Sequence, residues 1–296
     1  MNRTLDLSLT ALAPAIWGST YIVTTELLPE GYPLTVAALR ALPAGVLLLV
    51  LVRHLPPLNW IGKLLILGAL NFTLFWAALF VAAYHLPGGV AATLGAVQPL
   101  IVLLLAHRVL GTELSPLALG AALSGIAGVA LLILGPDAQL DTLGVLAALG
   151  GAASMAAGVV LTRKWQPPVP PLTFTAWQLT AGGLLLVPLA LVFEPAFPMP
   201  DAGATAGLVW LGLIGAALTY YLWFRGIARF GPEAITGLGF LSPLAAVMLG
   251  WLVLGQGLSL WQSLGALIVL ASVWAGNLAG KGAGRAKSAV ARGKPA

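Results

Sequence analysis

The chain has 296 residues, of which 59% are apolar and only 8% are charged, and its formal net charge is +5. An average soluble domain has about 25% charged residues, so this composition excludes an ordinary soluble protein. The chain has no cysteine, which excludes a disulfide framework and thiolate metal sites.

Apolar stretches that approach or reach the length needed to cross a bilayer as a helix, about 20 residues, follow one another along the chain. They predict an all-α integral membrane protein with ten transmembrane helices. In chain order the predicted spans are Leu7–Leu28, Leu34–Val52, Ile61–Tyr84, Val90–Ala106, Leu117–Leu134, Thr142–Leu161, Leu172–Phe193, Thr205–Phe224, Ala234–Leu254 and Leu260–Leu278.

The loops between these spans alternate in charge. All the lysines and arginines except Arg40 fall on one side, whereas the opposite loops carry only acidic residues such as Glu26, Glu30 and Glu194. By the positive-inside rule, this predicts a multi-pass protein of a bacterial inner membrane with both termini in the cytoplasm. The basic balance therefore indicates a membrane partner and no nucleic acid.

The chain repeats itself. Residues 85–115 align without a gap to residues 229–259, with identical residues at ten of thirty-one positions, and the first two spans match spans six and seven at an offset of 138, which places Arg40 on Gln178. The predicted repeats are residues 7–135 and 141–279. Because each has five spans, an odd number, the two repeats must cross the bilayer in opposite directions. Residues 280–296 are predicted to be a disordered, basic cytoplasmic tail.

Short motifs mark the two repeats, and two of them recur at matching places, while the tryptophan of the first motif is lost in the second repeat. The first has W-G-S-T from Trp17, A-L-R ending at Arg40, Q-P-L from Gln98 and L-G-T-E-L-S from Leu110; the second has S-P-L from Ser242 and L-G-Q-G-L-S from Leu254. In order and spacing these motifs resemble the EamA repeats of the drug/metabolite transporter superfamily. The sequence departs from the family's frequent L-G-E, because Glu113 is shifted by one position and the second copy has Gln256.

The resemblance implies secondary transport by alternating access, with a substrate site between the repeats, and many EamA relatives look like exporters of amino acids and metabolites. Polar and aromatic side chains in the spans are the candidate substrate ligands, because rings bind apolar parts and amides or hydroxyls orient polar ends. For the deeper ones, helix packing is an equal alternative. The candidates are Trp17, Thr20, Tyr21, Arg40, Asn71, Trp76, Gln98, Trp177, Gln178, Tyr220 and Ser242.

Arg40 is the basic residue that lies well inside a predicted span, where a charge is costly and normally faces a cavity or a partner. Two interpretations remain open. Arg40 pairs with Glu26 or Glu30 near the external end, or it binds a substrate carboxylate.

Pro99 and Pro243 occupy equivalent places in spans four and nine, and each removes a backbone donor from its helix. We predict that these spans bend there, with Gly95 and Gly239 as further gating positions. A static packing kink is the alternative. Glycine and serine spaced four apart in spans five and six predict close helix packing, within a monomer or at a weak homodimer contact.

The sequence lacks the motifs of several kinds of chemistry. The sequence has no P-loop, no H-E-x-x-H and no G-x-S-x-G, so we predict no catalytic residue, no bound metal and no cofactor. No acidic residue lies clearly mid-span, and Glu113 and Glu233 flank the membrane. This favours a facilitator, or a carrier with weak proton coupling through a group at the end of a span.

The scarcity of buried charge also limits the cargo. A multiply anionic substrate needs several converging cations, so a neutral or zwitterionic metabolite fits better. The aromatic residues and the family resemblance together favour amino acids, including aromatic ones. The alternative within transporters is a polyspecific exporter of drugs or cations. Outside them it is a lipid-modifying membrane enzyme or a non-transporting scaffold.

Overall fold

A computed structural model describes residues 3–85, 94–133, 141–255 and 259–291, and over these residues the ordered elements are helices, without β-strands. Proline begins several of them, as expected where the missing N–H has no helical partner. The helices are α1 (Arg3–Leu27), α2 (Pro33–Val52), α3 (58–85), α4 (Gln98–Leu110), α5 (Pro116–Ile133), α6 (Thr142–Lys164), α7 (Pro171–Phe193), α8 (202–230), α9 (232–254) and α10 (Leu260–Ala291).

Three of these helices change their winding along their length. In α3, a 3-10 turn at Leu58–Trp60 precedes α-helical turns, and a π-helical segment at Ala69–Thr73 interrupts them. In α8 the π-helical segment is Trp210–Leu218, and in α9 a 3-10 segment at Thr236–Phe240 separates two α-helical parts. Residues 69–73 fall on 213–217 at the offset of 144, so the π segments occupy equivalent places in the two repeats.

In the described part of the chain, seven helices are long and apolar enough to cross a membrane, and three shorter apolar helices accompany them, namely Gln98–Leu110, Pro116–Leu131 and Leu260–Gly276. Together they correspond to the ten predicted spans. Residues 90–93 of the predicted fourth span, and residues 134–135 at the end of the first repeat, lie outside the described residues.

The helix contacts confirm the two inverted repeats. Helix α1 packs on α8 and α9, and α6 packs on α3 and α4; likewise α2 contacts α8, and α7 contacts α3. One pair becomes the other when five is added to the number of the helix from the first repeat and five is subtracted from the number of the helix from the second repeat. The pairs α2–α7 and α5–α10 map onto themselves, so a pseudo-twofold axis passes through both contacts.

The α2–α7 contact shows how the sequence allows this symmetry. Gly45 and Gly183 are equivalent at the offset of 138. A Cβ on Gly45 would lie 2.5 Å from the backbone nitrogen of Thr180, and a Cβ on Gly183 would lie 2.7 Å from Cα of Leu42. Small residues let helix backbones approach closely in a membrane, and here each helix supplies one glycine.

The two ends of the bundle differ in charge, and we call them the basic end and the acidic end. At the basic end, Arg163 donates to the carbonyl of Ala228, joining α6 to α8. At the acidic end, the Glu194 carboxylate accepts hydrogen bonds from the backbone nitrogens of Leu34 and Thr35, at 2.5 and 2.7 Å. This carboxylate compensates the positive N-terminal end of α2.

The last helix is longer than the sequence analysis predicts. Helix α10 continues to Ala291, so residues 280–291 are helical where a disordered tail is expected. Composition accounts for the second half of this stretch, because residues 285–291 contain alanine, lysine and arginine and no glycine, and the next proline is Pro295. Residues 280–284 include three glycines, which do not favour helix by themselves. Residues 292–296 lie outside the described residues.

Candidate functional site

Four of the predicted site residues meet in the middle of the bundle, and we call them the central cluster: Trp17 of α1, Arg40 of α2, Trp76 of α3 and Tyr220 of α8. The rings of Trp17 and Tyr220 are 5.0 Å apart between centroids, and those of Trp76 and Tyr220 are 6.3 Å apart. The indole nitrogen of Trp17 donates to the Thr219 hydroxyl at 2.9 Å. Three of these helices belong to the first repeat and α8 to the second.

Arg40 is buried in this cluster, with 8% of its surface exposed. Its guanidinium carbon lies 5.1 Å from the centroid of the Trp76 ring, a cation–π distance. Its Nη2 donates to the carbonyl of Gly215 at 2.7 Å. The proposed acidic partners Glu26 and Glu30 are both exposed. The described contacts of Arg40 therefore direct it inward, to α8 and α3.

Two further predicted residues, Asn71 of α3 and Gln178 of α7, meet Thr162 of α6, which the sequence did not single out, and we call these three residues the amide network. Asn71 Nδ2 donates to Gln178 Oε1 at 2.9 Å and to the Thr162 hydroxyl at 3.1 Å, and that hydroxyl donates to Gln178 Oε1 at 3.0 Å. All three side chains are buried. Asn71 Oδ1 and Gln178 Nε2 have no hydrogen-bond partner among the described residues.

One contact of the central cluster and one contact of the amide network are related by the pseudo-twofold axis. Arg40 is equivalent to Gln178, and Gly215 is equivalent to Asn71. The contact from α2 to the π segment of α8 therefore corresponds to the contact from α7 to the π segment of α3. π-Helical segments often mark functional sites. Here each lies where a polar side chain of the neighbouring helix reaches it.

The rings of the central cluster pack against their neighbours rather than around an open space. Phe72 lies 4.7 Å from Tyr220 and 5.4 Å from Trp76 between ring centroids. Trp76 and Tyr220 are 3% and 2% exposed. The site is therefore closed in this conformation, and a bound molecule would require these rings to separate.

The remaining predicted ligands lie elsewhere. Trp177 belongs to a separate apolar group with Leu64 and Phe174, and its indole nitrogen donates to the carbonyl of His54 at 2.7 Å. Ser242 lies where α9 passes close to Gly18 of α1. Thr20 and Gln98 are half-buried in α1 and α4, and the side chain of Tyr21 is outside the described residues.

The predicted gating residues lie at interruptions in the helices. Gly95 ends a short helical stretch, residues 96–97 form a turn, and α4 restarts at Gln98 with Pro99 in its first turn. In α9, Gly239 is inside the 3-10 segment, and Pro243 follows it in the first turn of the next α-helical part. Each proline thus follows a break, where its missing N–H is tolerated.

The sequence did not predict an ion cluster that lies at the basic end of the bundle. Asp6 of α1 is 3% exposed and accepts hydrogen bonds from Arg225, at 2.6 Å, and from Arg229, both of α8. A signal was present in the sequence. Asp6 is an acidic residue between leucines, near an end otherwise marked by basic residues.

Known proteins resemble the chain over nearly its whole length. The model of the EamA-like transporter family matches residues 5–134 and 142–277. Protein PecM of Dickeya dadantii is 44% identical over 263 residues, 88% of each chain. The inner membrane transporter YedA of Escherichia coli is 28% identical over 260 residues, which cover 86% of this chain and 85% of YedA.

One solved crystal structure is 20% identical and superposes with a TM-score of 0.81, covering 95% of this chain and all of that one, so the fold is shared. The family match covers both repeats, in agreement with the inverted helix contacts. The chain is a multi-pass membrane protein and belongs to the EamA-like transporter family.

Proposed function

We propose that this chain is an alternating-access exporter, independent of ATP, for neutral or zwitterionic small metabolites, in particular amino acids with aromatic side chains. It would act in a bacterial inner membrane with both termini in the cytoplasm. The observation that carries the proposal is the central cluster, in which one buried guanidinium and three aromatic rings come from both repeats.

The chemistry of the cluster matches a zwitterion with an aromatic side chain. A guanidinium presents planar donors that suit a carboxylate. In the closed conformation, Arg40 gives one of these donors to the Gly215 carbonyl, and a substrate carboxylate would replace that neutral acceptor with a charged one. Trp17, Trp76 and Tyr220 supply the faces and edges on which an aromatic side chain packs.

Closure of the site supports alternating access. Because the rings of the central cluster lie in contact, the substrate enters only after α1, α3 and α8 separate on one side. The breaks in α4 and α9 and the π segments in α3 and α8 are pairs of equivalent, less regular segments. Inverted repeats of this kind exchange conformations by moving against each other around a fixed site.

The relatives support the general class of function, because YedA is named an inner membrane transporter. The substrate class rests on the central cluster alone. It is tested by efflux of radiolabelled L-phenylalanine from proteoliposomes that contain the purified protein, with protein-free liposomes and an Arg40→Ala variant in parallel. We expect efflux that unlabelled aromatic amino acids inhibit. Absence of flux for a panel of neutral amino acids would overturn the proposed substrate class.

A further inference from the structure

A chain of hydrogen bonds joins α1, α8 and α2 beside the central cluster. The indole nitrogen of Trp17 donates to the Thr219 hydroxyl at 2.9 Å, and this hydroxyl donates to the carbonyl of Gly215 at 2.8 Å. A second acceptor for the hydroxyl, the carbonyl of Ala216, is farther away at 3.4 Å. The Gly215 carbonyl also accepts the 2.7 Å bond from Arg40 Nη2. Thr219 therefore connects two members of the central cluster that belong to different helices.

The chemistry of the groups fixes the direction of each bond. An indole N–H and a guanidinium only donate, and a backbone carbonyl only accepts. The single proton of the Thr219 hydroxyl is directed to the Gly215 carbonyl, so the lone pairs of the oxygen are left for the Trp17 N–H. A substitution that keeps the shape of Thr219 but removes its hydroxyl therefore takes the acceptor from Trp17 and a donor from Gly215.

The π-helical winding of α8 makes the Gly215 carbonyl accessible to these side chains. In a regular α-helix, the N–H of residue 219 pairs with the carbonyl four residues earlier, which is that of Gly215. Thr219 instead follows the π segment Trp210–Leu218, and its N–H is directed to the carbonyls of Ile214 and Ala216. The change in winding thus places a backbone acceptor where the side chains of Arg40 and Thr219 can both reach it.

Burial makes the Thr219 hydroxyl important for the orientation of Trp17. Thr219 is 0% exposed, and a donor that loses its acceptor in such a place costs more free energy than the bond itself contributes. The Trp17 ring also lies 5.0 Å from Tyr220 and 5.3 Å from Trp223 between centroids. These ring contacts limit where the indole lies, and the hydrogen bond fixes which of its edges faces α8.

The other half of the bundle does without this chain of hydrogen bonds. At the offset of 138, Met155 takes the place of Trp17, and at the offset of 144, Phe75 takes the place of Thr219. Neither residue can form the equivalent bond, yet α6 still packs on α3 as α1 packs on α8. The contact between these helices therefore does not require the hydroxyl, which occurs in the half that carries the charge and the rings of the central cluster.

We infer that Thr219 is a positioning residue of the substrate site, which holds the Trp17 indole and the Arg40 guanidinium in the relative placement that an aromatic amino acid needs. The inference rests on the proposed function, because the substrate ring packs on Trp17 while its carboxylate meets Arg40. Loss of the hydroxyl leaves both groups present but less well ordered. It therefore weakens substrate binding more than it slows the movement of bound substrate.

The experiment measures L-phenylalanine efflux from proteoliposomes over a series of internal concentrations, which gives KM and kcat. We expect Thr219→Val to raise KM about fivefold or more, as for a buried donor that loses its acceptor, with little change in kcat. Thr219→Ser keeps the hydroxyl and should restore KM. The matched control is Thr175→Val, since Thr175 is also 0% exposed and its hydroxyl donates at 2.8 Å to the carbonyl of Pro171, one turn earlier in α7.

A second variant reaches the same bond from α1. Trp17→Phe keeps a ring but removes the indole N–H, so Thr219→Val should raise KM by a smaller factor in this background than in the unmodified protein. A KM that Trp17→Phe leaves unchanged would overturn the inference even if Thr219→Val did not fold.

The remaining outcomes separate this inference from the proposed substrate class. Additive effects of Trp17→Phe and Thr219→Val, an unchanged KM in Thr219→Val, or a Thr219→Ser variant that behaves like Thr219→Val would each overturn the positioning role and leave the substrate class standing. Absence of L-phenylalanine efflux from the unmodified protein would overturn the substrate class, and the positioning role with it.

Discussion

Arg40 of α2 donates a hydrogen bond of 2.7 Å to the carbonyl of Gly215, in the π-helical segment of α8. This bond joins the two repeats at the centre of the bundle. The equivalent contact in the other half is a hydrogen bond from Asn71 Nδ2 to Gln178 Oε1, in which the side chain of α7 accepts rather than donates. The two equivalent positions therefore differ in charge, and the charged one lies beside the aromatic rings of the central cluster.

We expect Arg40→Gln to lower L-phenylalanine efflux by about tenfold to a hundredfold, because a hydrogen bond to a charged group contributes about 1.5–3 kcal/mol. Glutamine makes α2 resemble α7 at this position, so the helix contact to Gly215 can be kept while the charge is lost. Efflux from proteoliposomes measures the rate, and thermal unfolding of the purified variant measures the fold.

The control for this variant is Arg53→Gln, which removes an exposed arginine after the end of α2. An Arg40→Gln variant that transports L-phenylalanine at the original rate would remove Arg40 from the substrate site. The remaining role would then be the bond between α2 and α8.

The amide network predicts a non-additive effect on stability. Asn71→Leu leaves Gln178 and Thr162 with fewer partners in a buried place, at a cost of about 1–3 kcal/mol. The Asn71→Leu, Gln178→Leu double variant removes both amides, so its loss should be smaller than the sum of the single losses. Thermal unfolding of the four proteins in detergent measures the coupling, and strictly additive losses would contradict it.

Much of the fold is predictable from the sequence, because apolar length, alternating loop charge and the repeat are long-range patterns. The sequence identifies candidate ligands, but it does not predict that four of them, Trp17, Arg40, Trp76 and Tyr220, lie together. The π segments are not predictable, since the residues that form them are mostly apolar. A shift of register by one residue then leaves no change in periodicity to detect.

Trp177 illustrates what the sequence does not reveal. It is a predicted ligand, and in the structure its indole nitrogen donates to the carbonyl of His54, just beyond the end of α2, which holds the ring near the basic end. This placement depends on backbone geometry at a helix end, where sequence patterns are least informative.

The α2–α7 contact should tolerate no larger residue at its glycines. We expect Gly183→Leu to reduce stability by about 1–3 kcal/mol or more, because the added side chain meets the Leu42 backbone and must push α2 away. The control is Gly62→Leu, since Gly62 is exposed and a Cβ there meets no atom within 4 Å. Thermal unfolding measures both, and equal melting temperatures would contradict the close approach.

The ion cluster at the basic end predicts an order of effects. Asp6→Asn removes the negative charge from both arginines, whereas Arg229→Gln leaves the Asp6–Arg225 pair in place. Arg229 is also 44% exposed in its side chain, against 12% for Arg225, and exposed ion pairs contribute little. We therefore expect melting temperatures to fall in the order Asp6→Asn, then Arg225→Gln, then Arg229→Gln, with the largest fall first. A larger fall for Arg229→Gln than for Asp6→Asn would contradict this assignment.

Replacing Pro99 or Pro243 should slow transport without unfolding the protein. An alanine at position 99 or 243 restores a backbone N–H and permits the helix to extend across the preceding break, so the breaks in α4 and α9 would stiffen. We expect Pro99→Ala and Pro243→Ala each to slow L-phenylalanine efflux, the double variant to slow it further, and all three to keep or raise the melting temperature. Pro188→Ala is the control, because Pro188 is exposed inside α7 and follows no break. Unchanged efflux in the double variant would show that these prolines shape the helices without taking part in the motion.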